Sequence, residues 1–238
     1  MRTKQTIGLI VFGSIIASCA VLAGLIAWLG IVSGSVVGLL TTSGVIGAYL
    51  LVVGPWQRRW GATDLEVRRS MPGDELLRMD APSTTRAITI DASPAEIFPW
   101  LLQIGYGRGG WYSYDRIDND GKQSVDRIEP ELQGLVIGDR IEMLPGMGPV
   151  VREIARERHI VCSGAADSWC LMVKPMSGRK TRLISRWRQD WPKTPATFIW
   201  AALSDPGAFV MEQKMLRTIR DLAEGGAERR PLVPGSAR

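Results

Sequence analysis

The sequence predicts an α+β domain behind a two-helix membrane hairpin, and three observations carry that reading. Not one charged residue occurs from Gln5 to Gln57. Thr85 to Asn119 reads as a strand, a capped helix and a glycine–aromatic turn. From Asp139 onward, short apolar runs alternate with turn residues until a last helical stripe, so one early strand and helix, several antiparallel strands and a long C-terminal helix follow in order.

The uncharged N-terminal run is about long enough for two crossings, since one span needs ~20 apolar residues. We read residues 6–29 as the first helix and 36–53 as the second, broken by Gly30-Ile-Val-Ser-Gly-Ser35. Gly38, Gly44 and Gly47 let membrane helices approach closely. Trp28 falls at one interface, Trp56 and Trp60 at the other. Arg2 and Lys4 precede the pair and Arg58 and Arg59 follow it, which puts both ends on the cytoplasmic side. The expected location is the inner cell membrane, multi-pass, with the C-terminal part cytoplasmic. Ile16-Ala17-Ser18-Cys19 also matches a lipobox, but the residues that follow are Ala20-Val-Leu-Ala-Gly-Leu-Ile rather than a polar tether. The hairpin reading is preferred to lipidation, and to a cleaved signal peptide, because no polar mature start appears.

Residues 58–84 read as a linker with one short helix. Thr63-Asp-Leu-Glu66 is a capping box, and Pro72-Gly73 stops the chain after it. The domain proper spans 85–224. Arg86–Asp91 is a strand. Ser93 caps the helix behind it, with Pro94 at its first position and Glu96 completing a capping box, and Ile97, Trp100, Leu101 and Ile104 give it a buried face. Pro99 should kink that helix. Ser124–Leu132 is expected to form a second short helix. Arg140–Leu144, Val150–Ala155, Arg158–Ser163, Trp169–Lys174 and Thr181–Arg188 are expected strands, and alternation in the last places Arg182, Arg186 and Arg188 on one exposed face. A final helix follows Asp205-Pro206, with Phe209, Val210, Met215, Leu216 and Ile219 on its apolar stripe. Residues 225–238, small and polar with prolines, read as a disordered tail.

Several chemistries are excluded by residue type. Lys and Arg number 29 against 24 Asp and Glu, with no long basic run and no nucleic-acid motif, so no nucleic-acid partner is expected. Three cysteines without CxxC spacing give no zinc site. Asp115-Arg-Ile-Asp-Asn-Asp-Gly121 is no calcium loop, because with Gly121 sixth the first and twelfth ligands would be Arg116 and Arg127. Gly105-Tyr-Gly-Arg-Gly-Gly110 follows a helix instead of leading into one, so no dinucleotide cofactor is implied and the glycines serve to turn the chain. No metal, cofactor or catalytic residue is assigned. His159 is the only histidine, and Tyr114, Asp115 and Arg116 provide no base paired to a nucleophile.

WGATD at Trp60–Asp64, PGDEL at Pro72–Leu76, GYGRGGWYSYD at Gly105–Asp115, DRIEPELQGLVIGDRI at Asp126–Ile141 and FVMEQKMLRTIR at Phe209–Arg220 resemble the START-like helix-grip superfamily. Within it they resemble the branch of polyketide cyclase/dehydrase and lipid-transport proteins. The resemblance covers roughly residues 60–224. It implies a curved antiparallel sheet wrapped round the long C-terminal helix with a cavity between them, lined by Trp111, Tyr112, Tyr114, Met211 and Met215. It also implies a membrane-tethered binder or carrier of a hydrophobic small molecule or lipid. The alternatives are a cyclase- or dehydratase-type enzyme acting in the same cavity, or a non-catalytic interaction module.

Overall fold

The computed structural model describes residues 16–17, 19–21 and 23–228. Residues 6–15 of the expected first span and residues 229–238 of the expected tail lie outside these. The chain divides into two compact units after Gln57.

The first unit is helical. A short apolar helix, α1 (Cys19–Leu29, Leu22 being outside the described residues), ends at Gly30, whose φ of 82° only glycine adopts freely. The helix then resumes at once as α2 (Ile31–Arg58), so the break is one residue rather than the six expected at Gly30–Ser35. Gly34 needs to be glycine, since a Cβ there would lie 2.6 Å from the Cα of Ile26. Gly34 and Gly38 are the buried positions of the Ile31–Ala48 stretch, one helical turn apart on the same stripe. A π-helical turn over Tyr49–Val53 precedes Pro55, which cannot donate to Leu51 and whose ring crowds that carbonyl. α2 is 28 residues long, and its most apolar 18-residue stretch has a mean hydropathy of 2.1 with 6% of it buried.

The second unit is an α+β domain with one five-stranded antiparallel sheet and a long C-terminal helix. Its strands are β1 (Ser83–Ile90), β2 (Val150–Ala155), β3 (His159–Ser163), β4 (Asp167–Pro175) and β5 (Thr181–Gln189), in the order β1-β5-β4-β3-β2. Helix α4 (Pro94–Leu102) follows β1, and its capping box forms as the sequence predicts, Ser93 N donating to the Glu96 carboxylate at 2.9 Å. The last helix, α6 (Pro195–Glu228), packs with α4 on one face of the sheet. The main core lies between these layers, with Ile90, Ile97, Leu101, Trp169, Leu171, Leu183, Leu216 and Ile219 all buried.

Alternation along β5 sends Leu183, Ser185 and Trp187 inward and Arg182, Ile184, Arg186 and Arg188 outward. The three arginines do share a face, but it is not exposed: Arg186 is 4% and Arg188 7% accessible. The segment expected to be a linker lies across them. Thr63 caps α3 (Asp64–Arg68) with the expected capping box, and Met71 packs on Ala87, Val161, Cys170 and Ile184 to form a second, smaller core. Arg182 reaches both oxygens of Glu66, at 2.8 and 3.0 Å. Arg186 donates to Thr85 Oγ1, to the Asp74 carboxylate and to the carbonyls of Arg69 and Val67. Arg188 takes the carbonyls of Asp74, Arg78 and Met79. The guanidinium forks thus satisfy backbone acceptors of a segment that has little regular structure of its own. Gly73 fits this close packing because a Cβ there would lie 2.6 Å from Val161 Cγ1, at a φ of 87°.

Three other expectations change. Arg140–Leu144 is no strand. It pairs irregularly with residues 147–151, where Pro149 has no N–H to return to the ladder. Ser124–Leu132 is loop apart from a 3₁₀ turn at Pro130–Leu132, because Ser124 is engaged beneath Gly110. The C-terminal helix starts at Pro195, runs through Pro206 and continues to Glu228, past Gly225, so it is longer at both ends than its apolar stripe indicates, and Val210 points outward instead of into the core.

Candidate functional site

The inner face of β4 and β5 carries a connected set of aromatic and polar side chains. Trp169 and Trp187 are cross-strand partners, their rings stacked at 4.8 Å and 10°. Trp111 lies tilted against Trp169 at 5.9 Å. Trp169 Nε1 donates to Ser185 Oγ at 2.9 Å, and Ser185 is the cross-strand partner of Arg86. Arg86 forms a buried ion pair with Glu212 of α6 and lies 5.5 Å over the ring of Phe209. One path therefore runs from Trp111 through Trp169 and Ser185 to the Arg86–Glu212 pair, across the interface of sheet and C-terminal helix.

Along this path the indole N–H of Trp111 is buried and has no acceptor among the described residues. An unmet buried donor costs ~1–3 kcal/mol, so it is a place where a bound molecule with an acceptor oxygen gains affinity.

The residues expected to line a cavity are divided by the structure. Trp111, Tyr112 and Met215 enter the main core. Tyr112 stands edge-on to Trp100 at 6.0 Å, and its hydroxyl accepts from Gln103 Nε2 at 2.6 Å. Its φ of 55° is unusual for a non-glycine residue and is held by Tyr112 N donating to Ser124 Oγ, which donates in turn to Asp115 at 2.6 Å. Burial pushes the Tyr112 phenol up to about 12, against the smaller opposing effect of Gln103. Met211 is half-buried outside that core, and Tyr114 is exposed at the start of α5 (Asp115–Asp118). The Gly105–Gly110 turn closes on itself by reciprocal backbone bonds of 3.1 and 3.2 Å, in keeping with a chain-turning role.

Sequence reading missed Arg86, Glu212, Trp169 and Trp187. One signal was present: Arg86 is the single charge of its strand, and such charges are paired when buried, whereas Glu212 sits beside Gln213 and Lys214 and gives no such sign. Trp169 and Trp187 meet only through strand register, which no local pattern records.

Elsewhere, burial and then the neighbouring Asp115 hold the Asp118 carboxyl above its ordinary range. An open groove of about 470 Å³ lies beside Asp115, lined also by Ser124, Arg127 and Glu129. Another of about 590 Å³ borders Arg69, Asp74, Met79 and Arg188 on the outer side. Neither lies on the aromatic path. Among the described residues no group of three or more His, Cys, Asp or Glu side chains is placed to hold a metal ion.

No protein-family model and no curated protein matches the chain. Among solved structures, a polyketide cyclase-like protein from Corynebacterium glutamicum aligns at a TM-score of 0.37 and 16% identity, over 65% of this chain and 99% of that one. The KanY protein aligns at 0.39 and 12%, over 62% and 100%. The Aha1 dimer from Colwellia psychrerythraea aligns at 0.31 and 16%, over 56% and 93%.

Proposed function

We propose that the chain is a membrane-anchored, START-like helix-grip protein that holds a hydrophobic small molecule or lipid between its sheet and its C-terminal helix. The observation that carries the ligand reading is Trp111: a buried indole N–H without an acceptor, on a stack of three tryptophans. That combination suits a molecule with an apolar body and one acceptor oxygen. Anchoring is supported by α2, long enough to cross a bilayer and almost wholly unburied, which is unlike a core helix. The close approach of Gly34 to Ile26 supports the two-helix hairpin, with both ends cytoplasmic by the positive flanks. The ligand is then taken from the inner leaflet or the cytoplasm.

Native mass spectrometry of the full chain released from detergent micelles tests this. The expected result is a co-purifying apolar molecule that survives mild activation. Bare protein under conditions that preserve the fold would count against the reading.

A further inference from the structure

α6 is 34 residues long, and only its second half meets the core. Its first half exposes Ile199, Trp200 and Leu203, which are 62%, 60% and 74% accessible, and Val210 about two turns beyond Leu203. At 3.6 residues per turn, Ile199, Leu203, Val210, Lys214 and Arg217 form one outward stripe within a narrow arc, with Trp200 at its edge. The stripe is apolar to Val210 and basic at Lys214 and Arg217, before Asp221 ends the basic stretch. Its position in the chain's layout is fixed by Arg58, the first residue of the second unit and the first charge after the uncharged run, which pairs with Asp205 at 3.0 Å. Ile199 lies six residues from Asp205, or ~9 Å along the helix axis.

We propose that the first half of α6 is a membrane-surface helix, its Ile199–Trp200–Leu203–Val210 stripe resting in the interfacial region of a bilayer with anionic headgroups beside Lys214 and Arg217. The inference rests on the reading of α2 as a span. If Arg58 marks where the chain leaves the bilayer, the Arg58–Asp205 pair brings the apolar stripe to that same level. An amphipathic helix with tryptophan at its apolar edge and basic residues beyond it has the composition of an interfacial helix. A lipid surface covers the stripe without any protein partner, and it places the sheet–α6 interface next to the source of an apolar ligand.

The test uses the full chain in nanodiscs of mixed phosphatidylcholine and phosphatidylglycerol. An environment-sensitive thiol label is attached at Leu203→Cys in a Cys19→Ser background. Cys162 and Cys170 are buried, which pushes their thiols up to about 12 and keeps them unlabelled. Labels at Leu40→Cys, in α2, and at Lys180→Cys, an exposed position of the second unit, serve as references. The expected result is quenching by brominated lipids at 203 approaching that at 40, with iodide quenching several-fold weaker than at 180. If 40 is lipid-quenched and 203 behaves like 180, the inference fails and the span stands. If 40 is not lipid-quenched, the span reading fails and takes the inference with it. Shielding of 203 from both quenchers would mean that protein, not lipid, covers the stripe, and would overturn the proposal.

Discussion

On the inner face of the sheet, Trp169, Leu171, Val173 and Leu183 meet α4 and α6 through apolar and aromatic contact. On the outer face, a strand's width away, Arg182, Arg186 and Arg188 meet the side chains and carbonyls of residues 61–81 through directed hydrogen bonds. Both faces are buried, and β5 supplies side chains to each. Apolar burial is non-directional, worth ~1.5–3 kcal/mol for a large side chain wherever it fits, so apart from the Trp169–Ser185 bond and the Arg86–Glu212 pair the inner face is held by volume rather than by direction. A guanidinium fork bound to fixed acceptors has one productive geometry. The difference teaches that β5 is held by directed polar contacts on its outer side and mainly by apolar packing on its inner side.

No expected effect is larger than the one on the outer side. Arg186→Ala takes one donor from Asp74, which keeps Met71 N and Arg188, and strips the carbonyls of Arg69 and Val67 of their guanidinium, and should cost ~3 kcal/mol, as for other broken buried pairs. Arg186→Lys should restore little, because an ammonium cannot span the same acceptors. Denaturant unfolding of the full chain in mild detergent measures both, and a loss under ~1 kcal/mol for the alanine variant would show that the arginines are not what holds the cover.

On the inner side the Arg86–Glu212 ion pair should behave differently. Arg86→Met alone strands Glu212 and should cost ~3 kcal/mol, whereas Arg86→Met with Glu212→Leu should recover most of it, since well-packed apolar residues often replace a buried pair without loss. Equal costs for the single and the double variant would make the pair a requirement of folding. A smaller effect belongs to the cover's own start. Thr63→Ala removes the cap of α3 and should cost ~1 kcal/mol, seen as a lower midpoint with an unchanged denaturant slope.

The smallest effect depends on pH. Asp118 has a folded-state pKa above its unfolded value, so its contribution is fully present below the unfolded value and is lost as pH rises through the folded one. Asp118→Asn removes that loss. The variant should match the parent in acid and exceed it at neutral pH in thermal unfolding. A variant less stable than the parent at neutral pH would mean that the ionised carboxylate is needed.

Much of this fold was legible because its signals are local. The capping boxes at Thr63 and Ser93, the strands at Val150 and Thr181 and the uncharged run to Gln57 each follow from neighbouring residues. The burial of Arg186 and Arg188 was not legible, because period-two alternation assigns a face and not what lies over it. α6 ran longer than its apolar stripe because Ile199 and Leu203 lie on the opposite, outward side and Pro206 was read as a start rather than an interior residue. Of the site, Trp111 and Met215 could be nominated from composition and resemblance, whereas the route from Trp111 to Glu212 depends on the register of β1, β4 and β5.

The central claim is that Trp111 serves a ligand more than it serves the fold. Trp111→Phe keeps a ring against Trp169 and deletes the unpartnered N–H together with part of the indole's volume, so ligand retention and unfolding are read on the same sample. The predicted result is a midpoint without ligand lowered by no more than the lost ring volume explains, ~1–2 kcal/mol, with affinity for the co-purified molecule lowered about five-fold, the equivalent of ~1 kcal/mol for one hydrogen bond. Unchanged affinity together with a lower midpoint would make Trp111 a core residue and contradict the account.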